Sequence, residues 1–504
     1  PKCIPMSVCV CVCVSTMACT LLGVVQTEGG KVKGKNQNMG LLHSVDVFKG
    51  IPFADVPGRW ELPKRHPGWD GVLQAIKYQK RCLQVTLLQL SSQGSEDCLY
   101  LNIHVPQGVS RGLPVMVYIF GGAFLLGASN DVPFLGNSLY DGNEMADRGG
   151  VIVVSVNYRV GSLGFLSTGD ARMPGNYGLW DQHAAISWVK RNIEAFGGNP
   201  DNITIFGQSA GAASVNYQML SPYSKGLFRR AISQCGVALS PWAIQLDPMA
   251  TTKKVGWLHE LAACIFGPAV LNSDLSLRHG LTQGPSPVMN LLEFTPVVDG
   301  DFIPDHPSRL FNNTADIDYL AGVNSMDGHL FAGVDVPSIN QRRKETTAAQ
   351  VKKLISGLTQ QKGAEAIQSV YSLLILDPWA RTYSYLFDMK TRIPGLPSWV
   401  GAMHAEDVQY LFGKPFDKPL IYFPRHRDLS GYMIAYWTNF AKTGDPSRGS
   451  KVPTIWPPFT PSRHPYLVIN SDITKSSVRF DLRAEYVRYW TDTYNNMPSV
   501  NSDQ

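Results

Sequence analysis

Ile203-Thr-Ile-Phe-Gly-Gln-Ser209-Ala-Gly211 runs an apolar strand into a glycine, a serine and a second glycine, and Ala212 to Leu220 continues as a helix-forming run. Strand, tight turn and helix follow in that order. Ser209 stands at the apex, where a side chain tolerates the backbone dihedrals poorly. Gly207 and Gly211 withhold the Cβ atoms that would collide where strand and helix close together. Such a turn holds Oγ clear of the sheet, open to a base on one side and a substrate on the other. The helix that follows aims its N-terminal N–H groups at the place where an oxyanion forms. A bare Gly-x-Ser-x-Gly is weak in a chain of 504 residues with 46 glycines. The apolar strand feeding it and the helix leaving it separate it from a glycine-serine loop.

The flanking sequence supplies the rest of a layered α/β pattern. Leu113 to Phe120 is a nearly continuous apolar strand of the kind buried on both faces, and Val151 to Tyr158 is a second. Ser44 to Phe48 reads as an alternating strand, and Glu96 to Val105 alternates at period two and reads as a half-buried strand. Leu179 to Phe196 puts Leu179, His183, Ile186, Val189 and Ile193 on one helical face. Short strands are predicted at Phe228 to Ser233, Asp318 to Val323 and Tyr383 to Phe387. Helices are predicted at Gly431 to Lys442 and Val478 to Tyr494, the last with Leu482, Tyr486, Tyr489 and Trp490 inward. Apolar strands alternating with helices predict a largely parallel sheet covered on both faces. Residues 250–295 and 336–380 are weakly patterned, as substrate-shaping insertions would be.

No linker interrupts 40–490, so residues 23–498 are expected to form one domain, with 499–504 as a tail. Residues 1–22 are apolar and rich in cysteine, resemble a degenerate signal segment and are read as outside the fold. No other stretch is apolar and long enough for a transmembrane anchor. The net charge of +5 is too mild to argue for nucleic acid, and no binding motif for it is present. It leaves open a weak attraction to heparin or an anionic lipid surface, an ordinary solvated surface being the plainer reading. Of nine cysteines, five crowd the first 19 residues. No pair has C-x-x-C spacing, so no metal site is expected. Cys82 and Cys98 bracket a short loop and are the best disulfide candidates.

A serine hydroxyl needs a general base, usually histidine, and the base needs a carboxylate to hold its tautomer. Asp327 follows the Asp318–Val323 strand, near a strand's C-terminal end where loop-borne catalytic groups gather. His329 is too close in sequence to partner it. His404 lies among small residues, but on the residues alone it stands level with His426 and His464. Gly121-Gly-Ala123 ends a buried strand and offers free backbone N–H groups. With the N–H of Ala210, those of Gly122 and Ala123 would make an oxyanion hole.

Two stretches, Phe196-Gly-Gly-Asn-Pro-Asp-Asn-Ile-Thr-Ile-Phe-Gly-Gln-Ser209-Ala-Gly and Glu96-Asp-Cys-Leu-Tyr-Leu-Asn-Ile, resemble the two signatures of the type-B carboxylesterases, which are cholinesterase-like α/β-hydrolases. The resemblance covers roughly 22–498. It implies an α/β-hydrolase fold, a secreted serine ester hydrolase and a triad of Ser209, Asp327 and His404. It also implies a Cys82–Cys98 disulfide and glycosylation at Asn202. Most of the family has Glu at the acid position, so Asp327 favours a lipase branch. That branch implies lipid ester substrates, among them sterol esters and acylglycerols, no cofactor, and bile salts as activators presented in micelles. Arg81 and Arg392 match basic positions implicated in bile-salt binding, and a surface arginine is an equally good reading of each.

This chain also departs from the family. Gln208 stands where Glu is usual, so a negative charge beside the nucleophile is lost. Cys235 replaces a usual Ser, Cys264 has lost its family partner, and the stretch after Leu373 looks shorter by several tens of residues. The alternative on the same fold is an adhesion or binding protein, or a catalytically impaired paralogue. The presence of all three triad residue types argues against it.

Overall fold

β-Branched and aromatic runs too short for helices pair into one large sheet, and the glycine-punctuated segments between them carry the helices. The computed structural model describes residues 22–40, 43–85, 92–108, 111–131, 133–134, 137–253, 292–341, 346–347, 349–350, 381–391, 396–473 and 477–488. Eleven strands form the sheet: β1 (Lys35–Gly40), β2 (His43–Pro52), β3 (Tyr100–Pro106), β4 (Leu113–Ile119), β5 (Ile152–Val156), β6 (Gly198–Gln208), β7 (Arg230–Gln234), β8 (Asp318–Asn324), β9 (Thr382–Phe387), β10 (Pro465–Ile469) and β11 (Val478–Phe480). Their spatial order is β11-β10-β9-β8-β7-β6-β4-β5-β3-β2-β1. The run from β5 through β4 and β6 to β10 is parallel; both margins are antiparallel.

Every residue of β5 and β7 is buried, as expected of parallel strands covered on both faces. The covering helices include α1 (Asn143–Gly149), α2 (Tyr177–Asn192), α3 (Ala210–Leu220), α4 (His329–Asp335), α5 (Glu406–Leu411), α6 (Pro424–Thr443) and α7 (Ala484–Arg488). α2 and α3 pack on β6, while α6 packs on β4 and β6 and against α1 and α5.

Three sequence expectations change. The sequence reads Glu96–Val105 as half-buried, but β3 is buried from Leu101 to Pro106, with β2 and β5 flanking it and α1 packed on it. Its polar Asn102 turns inward, donates to Ser129 Oγ and Ser155 Oγ and accepts from Gly50 N, so the polarity at this position marks a buried hydrogen-bond network. The helix expected from Val478 begins instead as edge strand β11, antiparallel to β10, and the described helix starts at Ala484. Leu482 is only half-buried, and Tyr489, Trp490 and the side chain of Tyr486 lie outside what is described. Conversely, α6 starts at Pro424, before the expected Gly431, since proline is well suited to a first helical turn.

Candidate active site

The end of β6 builds the nucleophile turn as its spacing predicted. Ser209 has φ 58° and ψ −124°. A Cβ on Gly207 would lie 2.5 Å from the Gly211 backbone, and one on Gly211 only 2.1 Å from the Ile119 carbonyl oxygen. Glycine at both positions is therefore what lets α3 start so close to β4 and β6. Ser209 is 8% exposed, and its N–H donates to the Gln234 carbonyl on β7. Among the described residues ten non-glycines take positive φ, and five of them stand here: Ala123, Phe124, Ser209, Cys235 and Ala405. Strain gathered at one place is the signature of a site held in shape by its surroundings.

The loop after β4 lies against this turn. A Cβ on Gly121 would meet the Gln208 carbonyl oxygen at 2.5 Å and Ser209 Cβ at 2.9 Å. Among the described residues no hydrogen bond occupies the N–H of Gly122, Ala123 or Ala210. The carbonyl of Gly122 is the one engaged, accepting from Leu125 and Leu126.

Asp327 and His404 meet across 77 residues of sequence. His404 Nδ1 and Asp327 Oδ1 are 2.6 Å apart, with side chains 9% and 22% exposed. The two loops are stitched together by backbone and side chain. Met326 N donates to the Ala402 carbonyl, Ala402 N to Ser325 Oγ, and Asn324 Nδ2 to the Met403 carbonyl. The competing histidines go elsewhere. His329 bonds Asn340, His426 is stacked on Tyr410 and bonds its hydroxyl, and His464 pairs with Asp481.

His404 Nε2 does not bond Ser209. Among the described residues no hydrogen bond joins Ser209 Oγ to the imidazole, and Nε2 lies 3.1 Å from Gln208 Nε2 instead. With Nδ1–H directed at Asp327, Nε2 of the neutral ring is the acceptor and the Gln208 amide the donor. Catalytic hydrogen bonds are often loose or misaligned before substrate arrives.

Two further groups stand at this site where the sequence analysis did not place them. Asp407, fully buried in the first turn of α5, accepts from Gln234 Nε2 (2.7 Å), Asn324 Nδ2 (3.3 Å) and Tyr385 OH (3.3 Å). It pins the residues just after His404 to β7, β8 and β9, and burial raises its carboxyl above the ordinary carboxylate range. Only its place three residues after His404 could have flagged it. Cys235, buried and free, directs its thiol at Asp327. Its Sγ, an Asp327 oxygen and a His404 nitrogen lie within 4.8 Å of one another, a spacing that could hold a cation. Two of the three are already committed, since His404 Nδ1 and Asp327 Oδ1 bond each other, and burial with the neighbouring Asp327 and Asp407 pushes the thiol well up.

Of the remaining expected residues, Cys82 and Cys98 form the disulfide. Arg81 pairs with Asp131 at 3.1 Å. Arg392 and Cys264 lie outside the described residues, as does nearly all of the shortened stretch after Leu373. Asn202 is half-buried between Arg230 and the Lys442 carbonyl. Among the described residues no helix is long and apolar enough to cross a membrane.

A model of the carboxylesterase family matches residues 22–378 and 372–490, the two pieces meeting where the sequence looks shortened. The chain is 51% identical to bile salt-activated lipase of Bos taurus over 544 aligned positions, covering 97% of this chain and 91% of that protein. It is 50% identical to the Homo sapiens protein of that name, covering 98% and 72% respectively. Acetylcholinesterase of Bungarus fasciatus is 32% identical, covering 92% and 85%.

Proposed function

We propose, for a chain that belongs to the carboxylesterase family and is a carboxylic ester hydrolase, that Ser209, His404 and Asp327 hydrolyse lipid esters through an acyl-enzyme. Asp327 holds the Nδ1–H tautomer of His404. Nε2 takes the Ser209 proton as Oγ attacks the ester carbonyl, and returns it to the leaving alcohol. The N–H groups of Gly122, Ala123 and Ala210 receive the oxyanion, each such donor being worth roughly a hundredfold or more in turnover. Water, activated by the same imidazole, then releases the acid.

The His404–Asp327 contact beside the Ser209 turn carries this reading. A lipase activity is what the names of the relatives that are 50–51% identical print; sterol esters and acylglycerols as its substrates rest on the resemblance to the lipase branch. Bile salts as activators rest on the same likeness, with Arg81 and Arg392 as their cationic contacts. Arg81 would have to exchange its Asp131 partner for the bile-salt anion. Secretion and a glycan on Asn202 complete the reading. Thr204 of that sequon is fully buried in β6, so the sugar would be added before the sheet closes.

Ser209→Ala should abolish p-nitrophenyl ester turnover and leave melting unchanged; substantial residual turnover refutes the nucleophile. Sterol-ester hydrolysis with and without cholate tests the substrate class and the activator. A catalytically impaired relative is the second reading, favoured by the Gln208 contact on Nε2. An organophosphate adduct on Ser209 would exclude it.

A further inference from the structure

We infer that Gln208 is a reversible cap on the general base, acting as a positioning residue. The inference rests on the triad reading above. A neutral imidazole has one in-plane lone pair, and with Nδ1 committed to Asp327 that pair is on Nε2. It is the pair that must receive the Ser209 proton. Gln208 Nε2 sits on it at 3.1 Å.

The cap is held rather than incidental. Gln208 is the last residue of β6, 4% exposed, with its backbone registered against Gln234 of β7. Its Oε1 lies 3.1 Å from where a Cβ on Gly121 would stand, so the amide is packed against the oxyanion loop. The side chain thus spans from the oxyanion loop to the imidazole, beside the serine it precedes. Attack by Ser209 requires this amide to swing off Nε2. Once the imidazolium forms, the amide N–H repels Nε2–H, and rotation of the amide presents Oε1 as an acceptor instead. A carboxylate at 208 could serve only the charged ring; the amide serves either, and at rest it favours the neutral one.

The other ionisable groups around His404 are Asp327 from the turn after β8, Cys235 from the end of β7, and Glu406 and Asp407 from α5. None of them meets Nε2 among the hydrogen bonds of the described residues, so a charge introduced at 208 acts there directly.

Gln208→Met keeps the length and removes the donor. Compared with the wild type, its rate of organophosphate labelling at Ser209 and its kcat/KM for p-nitrophenyl butyrate should rise roughly fivefold, the worth of one neutral hydrogen bond. Gln208→Glu should move the acid limb of the kcat/KM–pH profile upward by about one unit or more, because an opposite charge at this range favours the imidazolium. Rates in folded Gln208→Met that are equal to or below wild type would overturn the cap, as would an unmoved acid limb in Gln208→Glu. Absence of any Ser209 adduct in the wild type would instead sink the triad reading, and the cap with it.

Discussion

Replacing Gly211 by alanine tests the geometry on which the site depends. The new Cβ would stand 2.1 Å from the Ile119 carbonyl oxygen and 2.7 Å from that of Phe120, whereas real Cβ atoms essentially never come within 3.0 Å of a neighbour. Both obstacles are backbone, so no rotamer relieves them. The start of α3 and the end of β4 must part by roughly 0.9 Å, the shortfall from that limit. Overpacking of this kind typically costs about 1–3 kcal/mol. The parting separates the Ala210 N–H from those of Gly122 and Ala123, and displacement on the order of 1 Å costs about a hundredfold in rate.

The assay is kcat for p-nitrophenyl butyrate together with thermal unfolding. Gly431→Ala in α6 is the control, since its Cβ would touch only Phe416, at 3.6 Å. There the same change should stabilise by about 0.5–1 kcal/mol, from helix propensity alone. A Gly211→Ala enzyme with wild-type melting and turnover within threefold of wild type would refute the argument.

Asp407→Ala strands buried donors on Gln234, Asn324 and Tyr385, and each unmet donor costs about 1–3 kcal/mol. It should lower stability and turnover more than Asp407→Asn, which keeps an acceptor; equal urea midpoints for the two would refute this. Glu406, whose Oε1 is buried without a partner, has its pKa raised to about 8 by burial. Its stabilising contribution is full below the unfolded value of 4.5 and is lost as pH rises towards 8. Glu406→Gln cannot ionise, so its Tm should gain on the wild type steadily from pH 5 to 8. A pH-independent Tm difference would exclude the assignment.

The nucleophile turn was legible because its rules are local. Strand, Gly207, Ser209, Gly211 and helix occupy consecutive positions, and steric exclusion between neighbours dictates the fold of such a run. The buried β4 and β5 were legible for a similar reason, since apolar runs reveal coverage on both faces. The Asn102 network and the β11 edge were not. A polar side chain on a strand reads as solvent-facing until its buried partner is known, and edge pairing depends on a distant strand.

The choice among His404, His426 and His464 likewise had no answer in residue type or in the spacing around each. Family likeness supplied one from outside the local pattern. The structure brings His404 to Asp327 across 77 positions and sends the other two to Tyr410 and Asp481. The Gln208–His404 contact, spanning 196 positions, and the Asp407 anchor belong to the same class. Sequence by itself determined where a reactive serine could stand, because torsions and near-neighbour contacts are written in adjacent residues. Which imidazole meets Asp327, and which amide contacts that imidazole, was decided only when the loops after β6, β8 and β9 closed on one another. Hydrogen bonds depend on distance in space, and distance along the chain does not encode it.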